Sequence, residues 1–153
     1  MKSAPALSAL KDLHALLGDS RKGYRFASSK VELPELSAFL TERSMERRKL
    51  QEDLAAVIQD LSFGQVGVDD GSMKGTMHRV WADLRERFSC WDDAAVLDEC
   101  ERGDRYLLER FSAVWEDQRT PTEALQTVRK QRSLIEEQLA SLERTNDALL
   151  ARI

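Results

Sequence analysis

Leu10, Leu17, Tyr24 and Val31 stand seven residues apart, and Leu13, Ser20 and Ala27 fall between them. Residues spaced by alternating threes and fours line one side of an α-helix. Such a stripe predicts one amphipathic helix over about 5–31, and a helix with one apolar side has to bury it against other elements. Gly18 and Gly23 lower the helix propensity of this segment but keep its register. Three further stripes follow. A second helix is expected over 34–61, with Pro34 in its first turn and Leu36, Leu40, Leu50, Leu54, Val57 and Leu61 on its stripe. A third is expected over 93–118, capped by Asp92, with Leu97, Cys100, Gly103, Leu107, Phe111 and Val114 inward. A fourth is expected over 121–151, with Thr120 as N-cap, Pro121 first in the helix and Glu123 completing a capping box. Leu125, Val128, Ile135, Leu139, Leu142, Leu149 and Ile153 form its stripe. The fold class that follows is all-α: one four-helix-bundle domain over residues 1–153.

The connections separate two arrangements. The first-to-second and third-to-fourth joints are short, so each pair is antiparallel. The stretch 62–92 is longer, with Gly64, Gly67, Gly71 and Gly75 and then a short helix expected over 76–88 with Met77, Trp81, Leu84 and Phe88 inward. That is enough chain to return along helices about 40 Å long. Helices two and three are therefore expected to run parallel, joined by one long crossover, which is the ferritin-like arrangement. The alternative is an up-down bundle with an excursion at one end. The glycines of this stretch make no phosphate loop, because no Gly-Lys-Ser or Gly-Lys-Thr follows them.

Composition excludes several function classes. With 23 basic and 27 acidic residues the net charge is -4, which argues against a nucleic-acid surface. No apolar run is long enough to span a membrane, and Lys11, Asp12 and His14 interrupt any signal-peptide core. Cys90 and Cys100 make no disulfide framework, so a reducing cytoplasmic home is expected.

The chemistry-bearing residues lie where the stripes turn polar. Arg43 and Arg47 occupy stripe positions between Leu40 and Leu50, with Glu46 beside them. They are expected to snorkel outward, the alternative being a buried charged layer. Cys100-Glu101-Arg102-Gly103-Asp104 interrupts the third stripe. Gly103, if inward, implies a close neighbouring helix. Arg132 and Asn146 interrupt the fourth stripe, where Asn commonly sets register. Di-metal carboxylate bundles need Glu-x-x-His on two helices, and no such motif occurs here. An oxygen-only site from Glu46, Glu101 and Asp104 would suit Mg, Ca or Mn. Arg43, Arg47, Arg102 and Arg105 stand equally close, and guanidinium groups neutralise carboxylates without metal. The expectation is therefore no metal ligands, no cofactor and no catalytic residues. His14 and His78 read as structural, Cys100 as a small buried hydrophobe, and Trp81, Trp91 and Trp115 as packing residues. No serine, cysteine or histidine set has the spacing of a nucleophile and its base.

Gly23-Tyr24 with Ala27, Glu46-Arg47 ahead of Leu50 and Leu54, Gly75 with His78-Arg79-x-Trp81, and Cys100-Glu101-x-Gly103-Asp104 together carry a resemblance. The chain resembles a family of uncharacterised bacterial ferritin-like four-helix bundles, classed as a domain of unknown function. That family's last motif reads Cys-Glu-x-Gly-Glu-Asp; Asp104 stands here in place of its Glu and Arg105 in place of its Asp. The Gln131 to Ile135 region is also similar. The resemblance implies the fold and no settled activity.

The expected role is a non-catalytic structural or protein-interaction bundle, with a protein partner or self-association as a homodimer, and neither nucleic acid nor membrane as partner. Two alternatives stand beside it. One is a metal-binding bundle with a degenerate carboxylate site. The other is a small-ligand carrier with a cavity beside Gly23 and Gly103.

Overall fold

The computed structural model describes residues 4–62 and 92–152. Among these, four helices form: α1 Ala4–Lys30, α2 Pro34–Leu61, α3 Asp93–Glu116 and α4 Thr122–Ala151. Their bounds follow the apolar stripes to within about two residues, the usual uncertainty of helix ends. The expected helix at 76–88 lies outside the described residues. α1 runs unbroken through Gly18 and Gly23. No described helix is long and apolar enough to cross a membrane.

Side-chain bonds give the directions. The Asp93 carboxylate accepts from Glu32 N at 2.8 Å and Leu33 N at 3.1 Å, so α3 begins beside the α1–α2 turn. α2 and α3 therefore start at the same end and run parallel. Arg43 reaches Gln138 O and Gln131 reaches Leu50 O, which sets α4 antiparallel to α2. α1 packs on α2 and α3, and α4 packs on both as well. Neighbours are thus antiparallel, parallel helices are diagonal, and Leu61 and Asp93 stand at opposite ends of the bundle.

Two apolar clusters fill the interior. One holds Leu10, Leu13, Leu17, Leu54, Ile58, Phe111, Val128 and Ile135. The other holds Tyr24, Ala27, Leu36, Leu40, Val96, Leu97 and Leu142. Each fully buried aliphatic or aromatic side chain stabilises by about 1.5–3 kcal/mol relative to an exposed one. Between the clusters the stripes turn polar, with Arg43, Arg47, Asp104 and Gln138 all buried.

Three local expectations are corrected. Gly103 is exposed, with nothing within 4 Å of where a Cβ would stand. The inward line of α3 passes through Glu101 and Asp104 instead, so Gly103 sits a residue off the stripe. Thr120 is not an N-cap, and Pro121 stands at the N-cap position without a side-chain bond. The Thr120 hydroxyl turns back and donates to Val114 O at 2.8 Å, closing the end of α3. In α2 the inward residue near the end is Ile58, with Val57 only partly buried. Asp92 does cap α3, accepting from Ala95 N at 2.9 Å.

Candidate functional site

Helical spacing brings the polar stripe residues into one stretch of the bundle interior, about two helical turns long. Tyr24 comes from α1, Arg43, Glu46 and Arg47 from α2, Glu101 and Asp104 from α3, and Gln138 and Asn146 from α4. At the centre, Asp104 Oδ2 accepts from the Tyr24 hydroxyl at 2.6 Å and from Arg47 Nη2 at 3.1 Å. Arg47 is wholly buried and Asp104 is 2% exposed. The outward snorkelling expected for Arg43 and Arg47 is therefore overturned. Arg43 is 5% exposed because aromatic faces and a carbonyl receive it inside: its guanidinium lies 5.1 Å from the Phe39 ring and 5.9 Å from the Tyr24 ring, and Nη1 donates to Gln138 O. Arg47 lies 5.6 Å from the Tyr24 ring as well. Stacking of this kind favours guanidinium over ammonium, whose compact charge holds its water more tightly.

The three candidate metal ligands do not meet. Asp104 is held by Arg47 and Tyr24. Glu46 is more than a third exposed, paired with Arg43 at 3.4 Å and accepting from Gln138 Nε2 at 2.6 Å. Glu101 pairs with Arg105 at 2.8 Å and accepts from Asn146 Nδ2. Among the described residues no group of three or more His, Cys, Asp or Glu is placed to hold a metal ion. His14 is buried on α1. Of the residues carrying the resemblance, Gly23 and Tyr24 are buried, Cys100 packs against the second apolar cluster, and Gly103 is exposed. Gly75, His78, Arg79 and Trp81 lie outside the described residues, as do Cys90 and Trp91.

Burial governs the titrations here. Desolvation pushes the Asp104 carboxyl above its ordinary value, outweighing the pull of Arg47 and the Tyr24 hydrogen bond. Desolvation and the Asp104 charge together push the Tyr24 phenol well above its usual range. Cys100 is driven up by burial and then by Asp104 and Glu99, so it is a thiol and no nucleophile at neutral pH. Among the described residues, Arg47 Nε and Nη1 find no hydrogen-bond partner. Sequence reasoning missed Gln138 as a member of this layer. Its signal was present, since it precedes the stripe residue Leu139 and stands opposite Arg43 in the antiparallel register.

The cavity beside Gly23 and Gly103 that the small-ligand alternative requires is not formed on the Gly103 side, which faces outward. A groove of about 280 Å³ does open at the end of the bundle where α2 begins and α4 ends, between Leu33, Leu36 and Phe39 and Thr145, Ala148 and Leu149.

No curated protein and no solved structure matches the chain. A family model matches residues 5–117, from the start of α1 to just past the end of α3. Most of the chain is covered, and α3 contributes to that match the buried carboxylate Asp104 that binds Arg47 and Tyr24. By that match the chain belongs to the family described as Domain of unknown function (DUF2383).

Proposed function

We propose that this chain is a non-catalytic bundle of ferritin-like topology that acts by binding protein, either a partner or a second copy of itself, in a bacterial cytoplasm. The observation that carries this reading is the state of the central carboxylates. A di-metal bundle requires them free to ligate, with a histidine beside each pair. Here each is engaged by an arginine: Asp104 by Arg47, Glu46 by Arg43 and Glu101 by Arg105. A cation entering this layer would meet guanidinium charge at each candidate ligand. The parallel course of α2 and α3 supports the ferritin-like topology. The open groove lined by Leu33, Leu36, Phe39 and Leu149 supports a contact surface.

The test combines metal content with association state. Untagged protein, titrated anaerobically with Fe(II), is expected to bind no stoichiometric iron at micromolar concentration. Stoichiometric iron lost on Asp104→Ala would overturn the reading. Sedimentation equilibrium is expected to show self-association, or capture of a defined partner, weakened by Phe39→Glu at the groove.

A further inference from the structure

The outer sides of α2 and α4 form one shared face. Glu46 marks the α2 side of it, since its carboxylate accepts from Gln138 of α4. Glu35, Glu42, Asp53 and Asp60 stand four, seven, eleven or fourteen residues from Glu46 and are all exposed. That is helical spacing, so α2 carries an acidic row along this side. On α4, Lys130 and Arg152 are exposed at helical spacing from Gln138. Phe39 of α2 and Leu134 and Leu149 of α4 are only partly buried between the charged positions. The groove opens at one end of this face, with Glu35 on its α2 wall and Arg152 on its α4 wall. Among the described residues, Glu35, Glu42, Asp53, Lys130 and Arg152 form no ion pair. The register of the two helices, Gln131 at Leu50 and Gln138 at Arg43, sets the heights. Lys130 stands within a turn of Asp53 along the bundle, and Arg152 within two turns of Glu35.

We propose that a second copy of this chain covers the face, related by a two-fold axis running along the bundle, so that α2 of each copy lies on α4 of the other. The proposal rests on the protein-binding reading above and names the partner. An axis in that direction preserves height, so Asp53 meets the partner's Lys130 and Glu35 the partner's Arg152, each contact made twice. A two-fold axis across the bundle would instead lay α2 on α2, acidic row against acidic row, and like charges so placed oppose association. The charges therefore select both the occupant and its direction. Asp60 has no basic counterpart on α4, so the contact centres on the stretch between Asp53 and Glu35. That stretch is about 30 Å long and about 20 Å wide across two helices. It offers roughly 600 Å² per chain, the lower end of specific interfaces at about 1,200–2,000 Å² in total.

The test is sedimentation equilibrium of the full chain, with circular dichroism confirming the fold of each variant. The natural sequence is expected to form a dimer with a micromolar Kd that weakens as NaCl is added. One variant carries Glu35→Lys with Asp53→Lys, the other Lys130→Glu with Arg152→Glu. All four positions are exposed, so the fold is kept. Each variant alone is expected to self-associate about tenfold or more weakly. Mixed in equal amounts, the two are expected to recover the dimer, because every cross-chain contact again joins opposite charges. Pairing within one chain would be broken in both variants, and mixing would not mend it. A monomer at about 100 μM, two orders above a micromolar constant, overturns the proposal. So does undiminished dimerisation of either variant, or no recovery on mixing. A monomer leaves binding of a different protein standing, whereas stoichiometric iron lost on Asp104→Ala strikes the protein-binding reading itself.

Discussion

Arg47 has zero exposure and, among the described residues, forms an ion pair with Asp104. Taking two charges out of water costs several kcal/mol each, and their attraction offsets this only when both stay. Arg47→Leu leaves the Asp104 carboxylate buried with the Tyr24 hydroxyl as its hydrogen-bond donor among the described residues. It is expected to destabilise by about 3–5 kcal/mol. Urea unfolding of Arg47→Leu, Asp104→Leu and the double variant checks this, and the double is expected to lose far less than the sum of the singles. The same trio titrates in a stated direction. Burial raises Tyr24 above 10.0, so the folded chain keeps its phenol proton where the unfolded chain releases it. That contribution is fully present below pH 10.0 and is lost as pH rises through the folded value. Asp104 is likewise raised above 3.8, so its contribution is fully present below pH 3.8 and is lost as pH climbs through its folded value. Relative to Asp104→Asn, the natural sequence is thus expected to lose stability as pH rises from the acid side, read from urea midpoints over about pH 3–7.

At the scale of the helix, most of the stripes were legible. Leu10, Leu13, Leu17, Tyr24 and Ala27 are buried as their spacing requires, and so are Leu97, Leu107, Phe111 and Val114. What spacing did not separate was a residue on the stripe from one beside it. A helix advances 100° per residue, so Gly103 and Asp104, neighbours in sequence, point more than a quarter-turn apart. Asp104 faces in and Gly103 faces open space. A methyl at Gly103 meets no neighbour, and Ala is a better helix former by about 1 kcal/mol. Gly103→Ala is therefore expected to raise the free energy of unfolding, read from urea denaturation, by about that amount, and a loss of stability would mean the position is covered after all. The hydroxyl of Thr120 is the second case. Its capping-box spacing to Glu123 is correct, yet Val114 O lies within reach and takes the bond. The free carbonyls ending α3 and the free N–H groups opening α4 compete for one hydroxyl at a tight turn, and spacing alone does not rank them.

Across the whole molecule, the polar layer divides the interior into two apolar clusters. Phe111 is fully buried in the larger of them, which spans all four helices. Phe111→Ala is expected to cost about 3–5 kcal/mol, the sum of lost transfer energy and a residual cavity. Chemical denaturation with an unchanged m-value would confirm a single cooperative unit.

The four helices, their lengths and the parallel course of α2 and α3 were determined by the sequence, because heptad spacing and loop length act locally and leave few packings open. The cross-helix partners of the polar stripe residues were decided by tertiary structure alone. Spacing favours snorkelling for Arg43 and Arg47, and burial wins because the ring of Tyr24 on α1 and the carboxylate of Asp104 on α3 arrive from other parts of the chain. A charge is buried only where opposite charge and hydrogen-bond acceptors converge on it, and convergence across three helices is a property of the packed bundle that no single segment carries.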